Sequence, residues 1–397
     1  MTSVEDYRRV APPGVVDIIL KLSERVRGRR LLHLSAGRFG GGAAEILHTM
    51  VPMMTELGID AAWEITGGDP AFYSTANALQ AALRGAERVL TDEALDHFVE
   101  MNRINAKKLN LDADLVLAHD AQPATLVQDR VATGRWVWRC HFDCSRPQRR
   151  AWSFLRPFVN QYDAAIFSLP AFARRLGVPK YVIYPSIDPL SEKNRELSAR
   201  EIAATLAPLG VPQDKPLLVQ VGAFNAADDP LGVVNAYRLV KKHYDLRLVL
   251  AGAAGADPES PTVLAELREA AQRDPDVLVR ELPPDAHLQI NALQRAATIV
   301  LQKSVRESFG LGAAEAMWKG KPVIGGFVGG LPHQIVYDVT GYTVHSVEGA
   351  AFRLRHLLNN RELIARMGAA GREHVRRSFL ITRHLVDYMA LLIHVVP

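Results

Sequence analysis

The sequence predicts an α/β protein built as two open α/β domains, each a parallel sheet wrapped by helices. Three observations carry this. Short apolar runs of strand length alternate with helical periodicity along most of the chain, the pattern of β-α-β units whose sheet is covered on both faces. The alternation stops at a Pro- and Ser-bearing stretch, YPSIDPLSEKNRE, and then begins again. At 397 residues the chain is also long for one domain and comfortable for two.

The first set of strand candidates is RRLLHLSA (29–36), AAWEIT (61–66), ADLVLAHD (113–120), RWVWRCHFD (135–143), DAAIFSL (163–169) and YVIYPS (181–186). Between the first two, Ile46, Leu47, Met50, Met53, Met54 and Leu57 step at helical spacing, with Pro52 expected to kink the helix. Pro185 and Pro189 discourage regular structure, so 185–195 reads as an inter-domain linker. The second set is KPLLVQVGAF (215–224), LRLVLAGA (246–253), VLVREL (277–282), ATIVLQKS (297–304), KPVIGGF (321–327) and YTVHS (342–346). From Leu354 to Ile393 the pattern is helical. Ligands of such sheets sit at the carboxyl ends of the strands, so a shared cleft is expected between the two domains.

Composition narrows the function. With 48% hydrophobic and 23% charged residues, neither disorder nor a fibre is in play. The net charge of +4 is mild and the basic residues are scattered apart from Arg146, Arg149 and Arg150, which excludes a nucleic-acid footprint. The start, MTSVEDYRRVAPPG, lacks an apolar signal core, and no run reaches the roughly 18 apolar residues of a membrane span, so a cytoplasmic protein without membrane attachment is expected. Cys140 and Cys144 in RCHFDCSRP can be drawn with His141 and Asp143 as a metal site. A C-x3-C without a second ligand pair reads more simply as two reduced thiols.

Two segments carry candidate chemistry. In SAGRFGGGAAEIL (35–47), the turn Gly40-Gly41-Gly42 precedes a helix whose first amides can cradle an anion or a sugar. The turn lacks the G-x-G-x-x-G spacing, and a plain tight turn is the alternative. In RESFGLGAAEAMWKGKPVIGG (306–326), Glu307 and Glu315 bracket a glycine turn entering a helix, so both carboxylates can face one pocket and grip hydroxyl pairs. The amides of Gly310, Leu311 and Gly312 fall where the helix dipole favours anions. The bland alternative is a first-turn acid and a solvated helix residue.

Glu307, seven residues, Glu315, then KGKPVIGG, GGLPHQIV and DVTGY together resemble the carboxyl-terminal domain of the retaining GT-B glycosyltransferases of family GT4. GRFGGGAAEILHTMVP, LAHDAQPA, WVWRCHFDCSRP, YPSIDPLSEKN and EAMWKGKPVIG are similar to the trehalose synthase family of the glycosyltransferring type, over nearly the whole chain. The resemblance implies a GT-B fold, α/β with two Rossmann-like domains facing a shared cleft: an acceptor domain at 1–185, a nucleotide-sugar donor domain at 186–375, and a helix at 376–397 returning to the first. It implies transfer of a sugar from a nucleoside-diphosphate sugar to a small hydroxylated acceptor, a sugar or a cyclitol. In that family the residue matching Glu307 contacts the transferred sugar and the one matching Glu315 holds the ribose. Phe309-Gly310-Leu311 offers amides to the phosphates, and Gly41 and Gly42 approach the donor from the other domain. Strand-end His119-Asp120 and Arg139, His141 and Asp143 face the acceptor or are structural. With no D-x-D clamp, neither a metal nor a cofactor is expected, and a homodimer is allowed.

The chain departs from the family at one loop, QVGAFNAADDPLG (220–232). Where the family has an Arg and a Lys on the donor diphosphate, this chain has Ala223 and Asp228. A charge-assisted contact is worth ~1.5–3 kcal/mol, and an anion ~4 Å from another costs ~4 kcal/mol at an effective dielectric of 20. Three readings are open: other cations (Arg38, Lys303 or Arg306) hold the phosphates, the donor is unusual, or the fold survives as a non-catalytic sugar-binding homologue. If the phosphates lie beside this loop, Arg at 223 with Lys at 228 is expected to tighten nucleotide binding.

Overall fold

The computed structural model describes residues 2–39, 41–255 and 259–396 and divides into two compact units, Met1–Ser186 with Ile381–Pro397, and Ile187–Leu380. In the first, the described strands β1 (Arg30–Ser35), β2 (Asp60–Ile65), β3 (Leu115–His119), β4 (Arg135–Cys140), β5 (Ala164–Phe167) and β6 (Lys180–Val182) form a parallel sheet of order β2-β1-β3-β4-β5-β6. The central strands β3 and β5 are buried along their whole length, the physical reason that they read as unbroken apolar runs. The chain moves outward in opposite directions from β1 and β3, so the loops after these two strands flank the topological switch point. The expected kink at Pro52 does not end the element: the helix Gly42–Glu56 runs through it, burying Ile46, Leu47, Met50, Met53 and Met54. That burial outweighs the single backbone hydrogen bond a proline removes.

The second unit repeats the scheme with β7 (Leu217–Val221), β8 (Arg247–Gly252), β9 (Val277–Glu281), β10 (Ile299–Gln302), β11 (Val323–Gly326) and β12 (Gly341–Val344), in the order β12-β11-β10-β7-β8-β9. Its switch point lies between β7 and β10. One core of Leu218, Val233, Tyr237, Leu248, Leu267, Ile299 and Tyr342 joins helices to sheet.

The boundary between the units falls within the 185–195 stretch. The division falls between Ser186 and Ile187, and the chain from Asp188 to Arg195 is fastened to the second unit. Asn194 Nδ2 donates to Asp188 O (3.0 Å), Asn291 Nδ2 to Glu192 O (2.8 Å) and Arg195 O (2.9 Å), Arg295 to Asn194 O (3.1 Å), and Trp318 Nε1 to Asn194 O (3.2 Å). Pro185 and Pro189 exclude regular structure, but they leave carbonyls that side chains can hold. The carboxyl-terminal chain crosses back at Leu380. The helix Arg361–Ser378 stays with the second unit, and the returning helix begins at Ile381, not at 376. Among the described residues, no helix is long and apolar enough to cross a membrane.

The returning helix, Ile381–Val395, packs on the helix Val15–Val26 and buries Leu385, Tyr388, Met389 and Leu392. Leu385→Ala is expected to cost about 2–5 kcal/mol in urea denaturation of the first unit's transition. A loss below about 0.5 kcal/mol would show that this helix is not part of that core.

Candidate functional site

In the second unit, the loops after β7 and β10 flank the switch point and are joined to each other. Val305 N and Arg306 N both donate to Ala227 O (2.8 and 3.3 Å), and Lys303 Nζ is ion-paired with Asp229. Asp228, at one of the two positions where cations were expected, and its neighbour Asp229 are both held inside this join. Asp228 Oδ2 accepts from Ala223 N (2.8 Å), Asp228 N donates to Asn225 Oδ1 (2.8 Å), and Gln220 Nε2 donates to Asp228 O (2.9 Å), so the carboxylate folds back over its own loop. Asp229, in the left-handed region at φ 48°, caps the helix Pro230–Lys241 by accepting from Gly232 N (3.0 Å). Of the three substitute cations, Lys303 is therefore held by Asp229 and Arg306 is exposed. Arg38 lies in the first unit, donating to Trp63 O (2.7 Å) with its guanidinium over the Trp63 ring.

The β10 loop places Glu307 beside the start of the helix Leu311–Trp318. Gln302 Nε2 donates to Glu307 Oε2 (3.0 Å) and Ser308 N to Glu307 Oε1 (2.9 Å). Gly310 forms the turn at φ 83°, and a Cβ there would meet Leu331 at 2.7 Å and Glu307 Cγ at 3.1 Å. No side chain caps this helix, which leaves the first-turn amides of Leu311 and Gly312 as donors for an anion. Gly329 backs the loop: a Cβ on it would lie 2.2 Å from Glu307 O.

Glu315 is not a solvated helix residue. It is 3% exposed and ion-paired with Lys193 Nζ at 2.9 Å. One turn on, buried Lys319 donates to Asn194 Oδ1 (2.8 Å), Gln294 Oε1 (2.7 Å) and Glu315 O (3.3 Å), and burial pulls its pKa down to about 7. Lys193, Lys319 and Gln302 were missed in the sequence. Lys193 and Lys319 lie inside the quoted segments YPSIDPLSEKN and EAMWKGKPVIG, but nothing in their spacing marks an ion pair with Glu315 or a buried lysine.

In the first unit, the loop after β1 leads to Gly41, at φ 83°, which precedes the helix beginning at Gly42; this helix also has no side-chain cap. Gly40 lies outside the described residues. Next to it across the switch point, Asp120 closes β3 in the left-handed region at φ 64°. Its Oδ1 accepts from His141 N (2.8 Å), its N donates to Arg139 O (2.8 Å), and Trp138 Nε1 donates to its carbonyl (2.8 Å). Burial pushes the Asp120 carboxyl up to about 6, against the lowering effects of the His141 amide and Arg139. His141 is half-buried, and burial with nearby Arg139 holds its imidazole well below the ordinary range.

For other residues of this face the structural alternative fits. Arg139 has no exposed surface and donates to Ile183 O (2.8 Å), so it faces the core and not an acceptor. His119 is likewise buried. Asp143 closes its own turn by accepting from Ser145 N (2.8 Å). Cys140 and Cys144 are buried with sulfurs 3.8 Å apart, and burial pushes the Cys140 thiol up, which keeps it protonated and a poor metal ligand. Among the described residues, no group of three or more His, Cys, Asp or Glu is arranged to hold a metal.

Both units have relatives among known proteins. Residues 33–174 match the trehalose synthase N-terminal domain family and residues 202–374 match glycosyl transferases group 1. The trehalose synthase of Pyrococcus horikoshii is 40% identical over 396 residues, covering 98% of this chain and 95% of that protein. An Escherichia coli trehalose-6-phosphate protein bound with UDP-2-fluoro glucose superposes with a TM-score of 0.74 at 14% identity, over 93% of this chain and 100% of that one. The Anabaena protein HepE in complex with UDP gives 0.71 at 16%, over 91% and 99%. The two parallel six-stranded sheets and these likenesses define a glycosyltransferase of the GT-B fold. Within that class, the chain belongs to the trehalose synthase family.

The Asp120 shift has a stability consequence. The folded carboxyl titrates near 6 and the ordinary one near 3.8, so the folded state holds the proton more tightly and the ionised group opposes folding above pH 6. Below 3.8 both states are protonated and this cost is gone. Asn keeps the Oδ1 acceptor and tolerates the left-handed backbone. Asp120→Asn is therefore expected to stabilise the protein at pH 7.5 by up to about 3 kcal/mol, fading towards pH 4, as read by urea melts across pH. An equal difference at every pH would place the effect elsewhere.

Proposed function

We propose that the protein transfers a glucosyl group, with retention, from a nucleoside-diphosphate glucose to glucose or a similar small hydroxylated acceptor. The observation that carries this is the uncapped start of the helix Leu311–Trp318 with Glu307 fixed beside it. An anion at the amides of Leu311 and Gly312 would sit next to a carboxylate able to accept from sugar hydroxyls. In support, the family is that of trehalose synthases, and two proteins of the same fold hold UDP or a UDP sugar.

In this reading, the second unit takes the donor. The helix amides, with exposed Arg306 nearby, stabilise the departing diphosphate, while Lys303 stays paired with Asp229. Glu307 orders hydroxyls of the transferred sugar, and Glu315, charge-balanced by Lys193, serves the ribose. In the first unit, Gly41 and Gly42 offer backbone amides to an anion or a sugar, and Asp120 and His141 bind hydroxyls. The acceptor oxygen attacks the anomeric carbon from the face the diphosphate leaves, and its proton passes to the departing phosphate oxygen. No metal or cofactor takes part; charge on the diphosphate is met by amides and side-chain cations. A sugar-binding homologue without transfer, or an enzyme with an unusual donor or a cyclitol acceptor, is the second reading, and Ala223 and Asp228 are the observation behind it.

Two measurements test the proposal. Calorimetry with UDP, ADP and GDP is expected to show binding of at least one, because a transferase must hold its leaving group; binding of none would favour the sugar-binding reading. Glu307→Gln keeps the shape and the acceptor oxygen but loses the charge. It is expected to lower transfer roughly 10²–10³-fold with an almost unchanged melting temperature. Retained transfer would remove Glu307 from the reaction.

A further inference from the structure

The polar interior of the first unit holds three imidazoles in line. His33 on β1, His119 at the end of β3 and His141 just beyond β4 come from three neighbouring strands. His33 Nδ1 lies 2.9 Å from His119 Nε2, and His119 Nδ1 lies 2.8 Å from His141 Nε2. His33 and His119 are buried and His141 is half-buried, so the wire runs from the core to the surface of the candidate site and its outer end is His141 Nδ1.

We propose that this wire is a tautomer relay in which buried His33, through His119, fixes His141 as an Nδ1–H donor that hydrogen-bonds a sugar oxygen. His33 and His119 are then positioning residues, and the role of His141 towards a sugar rests on the transferase reading above.

Proton counting limits what the wire can do. Burial holds the imidazoles neutral, His33 at about 3 and the other two well below the ordinary value, with Arg139 beside His119 and His141 adding to the effect. Each neutral ring carries one proton, and each of the two contacts needs one donor and one acceptor. If His33 is protonated at Nδ1, His119 must accept at Nε2 and donate from Nδ1, and His141 must carry its proton on Nδ1. If His33 is protonated at Nε2, every ring is Nε2–H and His141 shows a lone pair outward. Mixed states set two protons or two lone pairs against each other. The wire therefore has two settings.

The inner end chooses between them. His33 Nε2 is buried and has no hydrogen-bond partner among the described residues; the nearest ring beyond it is that of Tyr388, 6.4 Å away between centroids. One setting leaves an N–H there with nothing to donate to, and the other leaves a bare lone pair. A buried donor without an acceptor is the rarer and costlier defect. It outweighs the modest preference of free imidazole for Nε2–H. The protons therefore point outward and His141 is a donor. A ring with Nδ1–H outward has no lone pair on that side, so His141 cannot take the acceptor's proton, which agrees with a proton that leaves with the phosphate.

The test is direct observation of the ring nitrogens. In two-bond ¹H–¹⁵N spectra of the uniformly labelled protein, with His141 assigned by its loss in His141→Gln, His141 is expected to show protonated Nδ1 and unprotonated Nε2. The opposite assignment would overturn the proposal, and this wild-type spectrum decides even if a variant fails to fold. His33→Leu removes the inner donor and is expected to give a mixture of tautomers at His141 with about a tenfold fall in kcat. His33→Asn, whose amide can still donate to His119, is expected to restore both. An unchanged His141 tautomer in a folded His33→Leu protein would also overturn the relay. Since the spectra need no substrate, a protein with the expected tautomer but no transfer would leave the relay standing and sink the transferase reading instead.

Discussion

The clasp between the loops after β7 and β10 is the interaction on which the second unit's site depends. Parallel strands on either side of a switch point send their loops apart, and something must hold them if backbone amides and carboxylates are to stay in register. Here Ala227 O accepts from both Val305 and Arg306, and Asp229 pairs with Lys303. The pair is mostly buried, so removing either partner would leave a charge without its counterion, a far larger penalty than the loss of a surface ion pair. Glu307 comes four residues after Lys303, and Gly310 and the helix start come after Glu307. Position at the site therefore descends from the clasp.

The same clasp resolves the oddity of two aspartates at a loop expected to face phosphate. A carboxylate facing a diphosphate would be repelled, but Asp228 is turned onto Ala223 N and Asp229 onto Gly232 N and Lys303. Their charge is spent inside the protein on amide donors and one ammonium. Positive potential for an anion must then come from the helix Leu311–Trp318 and from exposed Arg306.

Much of this was legible in the sequence, for physical reasons. Strands buried on both faces must be apolar throughout, so the central strands show as apolar runs, and the Glu307-to-Glu315 spacing marked the turn into a helix. The hidden parts depend on tertiary contact. Whether Asp228 points at a ligand or at its own loop turns on one side-chain rotamer. The pairing of Lys193 with Glu315, and the burial of Lys319 and of His33 beneath His119, depend on neighbours far away in the chain. One signal was overlooked: a histidine inside RLLHLS, a run otherwise fit for a fully buried strand, demands a polar partner in the core. The prolines rightly marked a stretch without regular structure, but not that Arg295, Asn291 and Trp318 pin it.

The central claim is that Asp228 is part of the loop's own structure and not a lapsed phosphate contact. Sequence comparison alone favours the contrary, that restoring Arg at 223 and Lys at 228 would recover a donor site. Calorimetric titration of the Ala223→Arg, Asp228→Lys double variant with UDP decides between them. With the Asp228 carboxylate gone, the amide at position 223 loses its acceptor, worth ~1.5–3 kcal/mol as a charge-assisted hydrogen bond, and the β7 loop loosens. A lower melting temperature is expected, with UDP binding that is unchanged or weaker. UDP binding tightened tenfold or more, in a variant as stable as the parent, would contradict the claim.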